Sequence, residues 1–333
     1  MPDIAELADR AFVAVQAAID AGRIPGAVLG VLGEGRALRY AGLAQRVPEP
    51  VAMREDTVFD LASLTKPVFT ALQILRLCDA GRLDLDDTLA AHIPDLRQYD
   101  VAGAAERRLT IRQCLSHQTH LPAVEPLYTY GQDPATLRAF ILQRQWSSGP
   151  AVYSDINFLL LGILIERVTG RALSEIEPGP GFTFRPDREA CAATEFCTWR
   201  GRVLRGEVHD ENAAAMGGAA GHAGLFGTAD GLLNFASSLL GGRLLSAAGI
   251  AAIRSRQSPN RTIGWEAAQP GWAGGDGCSA ETIGHTGFTG AGLWIDWQRR
   301  LAWVLLTNRV HPSRHTESCI QALRRSVGVT ICV

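Results

Sequence analysis

The spacing of apolar residues changes twice along this chain. In "MPDIAELADRAFVAVQAAIDAG" they recur every three or four positions with acids in the first turn, which predicts an amphipathic helix. "GAVLGVL" is an unbroken apolar run of strand length, "GEG" a turn, and "RALRYAGLA" the returning strand of a hairpin. From about residue 61 to 250 the helical period dominates. "KPVFTALQILRLCDAG", "NFLLLGILIERVTG" and "ADGLLNFASSLLGG" each carry apolar residues at helical spacing and a glycine stop. The longest loop between them reads "IEPGPGFTFRPDREACAATEF", rich in Pro and Gly.

Strand character returns near residue 262 with "TIGW", "ETIGH", "GAGLWIDW" and "LAWVLLTN", the last two joined as a hairpin by "QRR". A closing helix is expected from about Ser313 to Ser326. Strands at both ends around a helical middle predict an α+β fold, with one antiparallel sheet assembled from both termini. The expected organisation is a sheet region from residues 1–60 and 260–333, a mainly helical region from 61–259, and an active site at their interface.

The 333 residues allow one large domain or two interlocked ones, and 47% of them are apolar, enough for a sizeable core. A net charge of −2 with no run of like charge gives no sign of a nucleic-acid partner. The N-terminal stretch lacks the basic-then-apolar order of a secretory signal, and no apolar run approaches the roughly 20 residues of a membrane span. Seven cysteines with scattered spacing fit reduced thiols, and the expected location is the cytoplasm. His117 and His120 lie three apart but no acidic partner completes a metal set, so neither a metal nor another cofactor is expected.

Of the 32 basic residues only Lys66 is a lysine, in "FDLASLTKPVFTALQ". Arginine cannot lose its proton in a protein, whereas a desolvated lysine can become a neutral amine that accepts one. Ser63 sits three residues earlier, so at the start of a helix the two share a face, and Pro67 fits a first turn. A neutral Lys66 would let Ser63 attack a carbonyl. Ser-x-x-Lys alone is expected by chance about once in a protein of this size, and a capping serine beside a surface lysine has the same spacing. In a chain with a single lysine it carries more weight.

"VYSDINFLLLG" places Tyr153 and Asp155 just before an apolar helix. A phenolate at Tyr153 beside a cation is a candidate general base, and Asp155 could pair with Lys66 or orient substrate. "GHTGFTGAGLWIDW" surrounds His285 and Thr286 with glycines, allowing a strand edge to approach a ligand closely. The backbone N–H of Phe288 could there join that of Ser63 in an oxyanion hole. The alternatives are a packing tyrosine, a helix-capping Asp and a glycine-rich turn.

"SLTK", "YSD" and "HTG", in this order, resemble the serine β-lactamase and penicillin-binding protein family, nearest the class C β-lactamase branch with its related esterases, peptidases and amidases. The likeness covers most of the chain and extends to "LTIRQCLSHQTHLP", "GRLDLDDTLAAHIPDL" and "GHAGLFGTADGLLNF". It implies a β-lactamase/transpeptidase-like fold. It also implies Ser63 as acylated nucleophile, Lys66 as its proton partner, Tyr153 as base and leaving-group acid, and "HTG" (His285, Thr286 and Gly287) as the substrate-holding strand.

Two positions depart from the pattern. Asp155 stands where the family usually has Asn, and His285 where class C enzymes usually have Lys. A neutral His285 should hold anionic β-lactams less firmly. The expected function is therefore a cofactor-free esterase- or amidase-like serine hydrolase with weak β-lactamase activity at most. It would act on small ester, amide or peptide-like substrates.

"GEVHDENAAAMGGAAGHAGLFGTA" and "LLTNRVHPSRH" resemble a subgroup linked to cell-wall sugar–peptide recycling, so a muropeptide amidase or D-amino-acid peptidase is an alternative. There His209, Asp210, Glu211 and His222 are candidates for substrate contact or for holding loops together. A reading of another class is a penicillin sensor or ligand-binding module without turnover. The segment around Tyr128 and Tyr130 and that from 177 to 196 are expected to line the pocket.

Overall fold

The computed structural model describes residues 3–333. Its first helix, α1 (Ile4–Asp20), is capped by Asp3, whose carboxylate accepts from the N–H of Ala5. Three strands follow: β1 (Gly26–Leu32), β2 (Arg36–Gln45) and the short β3 (Val51–Ala52). Four more come from the other end of the chain: β4 (Glu266–Ala267), β5 (Thr282–Thr286), β6 (Gly292–Asp296) and β7 (Leu301–Thr307). Together they form one antiparallel sheet in the order β3-β2-β1-β7-β6-β5-β4, a β-lactamase/transpeptidase fold. The seam between the two chain ends is the β1–β7 pair, with Ala27 opposite Thr307 and Leu32 opposite Ala302.

Both seam strands are buried on both faces, which is why they read as continuous apolar runs. Alternate residues still serve different cores. Ala27, Leu29, Val31, Trp303 and Leu305 join α1 and the last helix, α5 (Ile320–Cys332), on one side. Val28, Val304 and Leu306 face the larger core on the other, under helix α4 (Ala229–Leu240). That core continues into the helical middle, built around α2 (Leu72–Asp79) and α3 (Asp155–Thr169). Helix α3 is apolar nearly all round because it is the buried centre of this region.

Three expectations change. The closing helix runs from Ile320 to Cys332, about seven residues later than predicted. The stretch before it is held by long-range pairing instead: Arg314 binds Glu195 through two hydrogen bonds of 2.6 Å, and Cys319 takes a left-handed conformation at φ 49°. "TIGW" is a tight turn closed by the N–H of Thr262 donating to Trp265 O at 2.9 Å, and pairing with β5 begins only at Glu266. The long loop ends in a strand, Ala193–Cys197, paired with Arg202–Arg205.

Candidate active site

Asp60 organises the turn that carries Ser63. It is fully buried, and its carboxylate accepts the N–H of Ala62 at 2.8 Å and of His209 at 2.6 Å, while its carbonyl accepts the Thr289 hydroxyl at 2.7 Å. Burial pushes its pKa up, and the two backbone donors work against that rise. One residue on from Leu61, Ala62 is left-handed (φ 47°), a costly conformation for a residue with a Cβ. A single 3₁₀ turn (Ala62–Leu64) and a π turn (Lys66–Ala71) then lead into α2. Such irregular turns persist where the surroundings over-determine them, often at functional sites.

Lys66 is wholly buried. Its Nζ lies 2.8 Å from Ser63 Oγ, 2.8 Å from Asp155 Oδ1 and 3.2 Å from the carbonyl oxygen of His222. The Tyr153 ring centre is 4.9 Å away. The contacts to Ser63 Oγ and His222 O are hydrogen bonds, and that to Asp155 is an ion pair. Burial alone would lower the lysine pKa, but Asp155 and then Tyr153 outweigh it and hold the amine above its ordinary value. This direction runs against the neutral amine expected at rest. Asp155 is the main influence that raises the pKa.

Tyr153 precedes α3, whose cap is Ser154, and the segment is pinned by Asp155 N donating to Ala123 O at 2.8 Å. The His117 ring packs tilted against the Tyr153 ring with centroids 4.5 Å apart. His117 is itself left-handed (φ 56°), and its Nδ1 accepts the N–H of Ser154 at 3.0 Å. Burial, then the cations Arg261 and Lys66, hold its pKa well below the usual histidine value. It stays a neutral support for the tyrosine.

His285 lies buried on β5 with Nδ1 3.0 Å from Thr286 O, and burial followed by Lys66 and Arg261 keeps it neutral too. Gly287 follows. A Cβ there would stand 2.5 Å from Leu61 O, so only glycine lets this turn rest against the serine's turn. Gly287 N donates to Ala291 O at 2.8 Å, and the buried Arg324 of α5 reaches Gly287 O and Ala291 O at 2.8 and 2.7 Å. The neighbouring Phe288 projects half exposed between Arg309 and Arg314 and stacks on His209.

Of the residues anticipated for catalysis and for holding substrate, Ser63, Tyr153, Asp155, His285, Thr286, Gly287 and Phe288 line one cleft of about 690 Å³, and Lys66 lies buried behind Ser63. His209, Asp210 and Glu211 also line it. His222 does not; its ring is buried with Nε2 2.9 Å from Asp210 Oδ1, while its carbonyl serves Lys66. Tyr128, Tyr130 and the 177–196 segment do not line it either. Tyr128 packs on Trp199, Tyr130 stacks on Phe140 and donates to Glu125, and Ser174–Arg185 surrounds a separate hollow. Sequence reasoning missed Asp60, His117, Arg261 and Arg324 as parts of this site. Asp60 and His117 lie within the quoted stretches "FDLASLTK" and "LSHQTH", whereas Arg261 and Arg324 lie in none.

The chain is 29% identical to N-acetylmuramyl-L-alanine amidase of Bacillus subtilis (strain 168) over 86% of its length and 78% of the relative's. It is 30% identical to a putative D-alanyl-D-alanine carboxypeptidase of Escherichia coli (strain K12), covering 83% and 74%. Its fold superposes on EstCE1, a hydrolase with promiscuous acyltransferase activity, with a TM-score of 0.72 at 22% identity over 97% and 98% of the two chains. The Beta-lactamase family model matches residues 12–326, nearly the whole fold just described, and the chain belongs to that family of serine hydrolases.

Proposed function

We propose that this hydrolase works through an acyl-enzyme on Ser63 and cleaves ester or amide bonds. The observation that carries the reading is the 2.8 Å contact of Ser63 Oγ with a buried ammonium that also holds Asp155 and lies under Tyr153. Lys66 and Tyr153 act together as a relay that takes the Ser63 proton as the hydroxyl attacks. Tyr153 then protonates the leaving group, and water releases the acid by the reverse route. The N–H groups of Ser63 and Phe288 serve the oxyanion, their two turns being held in contact through Gly287.

Intact mass spectrometry with a fluorophosphonate and a p-nitrophenyl ester tests this. Wild type should gain one adduct and turn over the ester, and Ser63→Ala should do neither. An adduct of unchanged size on Ser63→Ala overturns the reading, and a permanent acyl adduct without turnover makes the protein a sensor.

A second observation favours the amidase or carboxypeptidase side of the reaction. Arg261, Arg309 and Arg324 line the cleft with no carboxylate at ion-pair distance among the described residues. Arg261 lies 5.4 Å from the Tyr153 ring centre, where the leaving group would sit. A positive charge thus stands beside the neutral His285, suited to a substrate bearing a carboxylate. For matched acyl-amino-acid substrates, the acid should be preferred over the carboxamide by about tenfold or more in kcat/KM, and Arg261→Gln should erase that preference. Equal rates in wild type count against it.

A further inference from the structure

Away from the cleft, two of the seven cysteines face each other across the last helix. Cys278 lies in the loop between β4 and β5 and Cys332 in the final turn of α5, with their Sγ atoms 3.1 Å apart. The approach is built into the backbone. A Cβ on Gly328 would fall 1.8 Å from Gly274 O, and one on Gly275 would fall 2.6 Å from Val329 N, so loop and helix touch with no side chain between them. Trp272 Nε1 donates to Gly275 O at 2.9 Å and Arg299 donates to Gly277 O at 2.8 Å, fixing the loop from both sides.

The two sulfurs are not equivalent. Cys278 Sγ lies 3.2 Å from both Gly274 O and Gly275 O, acceptors that suit a protonated thiol. Its contact with Cys332, then burial, pushes its pKa far up. The contact with Cys278 and then Arg299, against burial, hold Cys332 below the ordinary thiol value. Elsewhere burial pushes Cys114 and Cys191 up to about 12 and Cys78 to about 11. The carbonyl acceptors around Cys278 and the cation beside Cys332 favour Cys332 as the attacking sulfur and Cys278 as the resolving one.

We propose that Cys278 and Cys332 form a hydroperoxide-reactive dithiol that closes to a disulfide and latches α5 to the sheet. In the first step the Cys332 thiolate attacks the peroxide O–O bond, forming a sulfenic acid and releasing hydroxide or alkoxide. In the second the Cys278 sulfur attacks the sulfenic sulfur, the S–S bond forms and water leaves with the thiol proton. The peroxide is reduced by two electrons and the two thiols are oxidised by two. The latched helix is the one whose Arg324 holds the carbonyls of Gly287 and Ala291.

Hydrogen peroxide on the reduced full chain tests this without any substrate. Intact mass should fall by about 2 Da, restored by dithiothreitol, with free thiols two fewer than the seven present and a non-reduced peptide map joining Cys278 to Cys332. The melting temperature of the oxidised protein should rise by about 5 °C, since the link closes a long loop. Cys278→Ser should abolish the 2 Da loss and leave Cys332 trapped by a sulfenic-acid reagent such as dimedone. A link through any other cysteine, or a 2 Da loss that survives Cys278→Ser, overturns the pairing. An unchanged melting temperature overturns the latch.

Discussion

Lys66 and Asp155 show how one charge changes a site. Because Asp155 is the leading influence holding the lysine protonated, Asp155→Asn should lower the Lys66 pKa. With the relay working in its ammonium form, activity is lost as pH rises through that pKa. The alkaline limb of kcat should therefore move to lower pH in the variant, and an unmoved limb would show that Asp155 does not govern the lysine. Lys66→Arg keeps the charge but cannot relay a proton, and should cost at least about a thousandfold in kcat, close to the loss in Lys66→Ala. Substantial turnover by the arginine variant would remove the relay. A lone lysine in an arginine-rich chain pointed to this position. Its charge state was not readable, because Asp155 lies 89 positions away in sequence and only folding brings the carboxylate within 2.8 Å.

The elements were legible in proportion to how local their causes are. Hairpins and helices with a clear period appear where expected: β1 and β2 around their turn, α3 and α4 with their glycine stops. The last helix did not, because Arg314 is captured by Glu195 and Glu211 ahead of it and because Gly328 packs against Gly274 within it. The same kind of contact gives the β5–β6 turn its sharpest test. A methyl group at Gly287 would press on Leu61 O and lift Phe288 from the serine turn. Gly287→Ala should lower kcat by about a hundredfold, the usual effect of a displaced oxyanion donor. It should cost about 1–3 kcal/mol of stability as an overpacked contact. Full kcat together with lowered stability would leave this turn a packing element only.

At the scale of the whole molecule, the sheet is sewn from both chain ends, so α1, the β1–β7 seam and α5 share one core and should unfold together. The site adds a pH dependence to that unit. His117 and His285, both buried, have pKa values held well below 6.5 by burial and by Arg261 and Lys66. Neutral when folded, they take up protons on unfolding once the pH drops below about 6.5. Their contribution is thus fully present above that value and is lost as pH falls beneath it. Each can add up to about 1.4 kcal/mol per pH unit to the slope. Asp60, raised by burial, acts in the opposite sense, while Glu195, held to about 2, titrates below this window. The urea midpoint should therefore decline between pH 7 and 5, and His285→Gln should flatten the decline by about one proton's worth relative to wild type. Identical slopes in the two proteins would mean that His285 is already protonated in the folded state. The cleft would then carry a positive charge on β5 after all, and the specificity assigned to Arg261 would have to be shared with it.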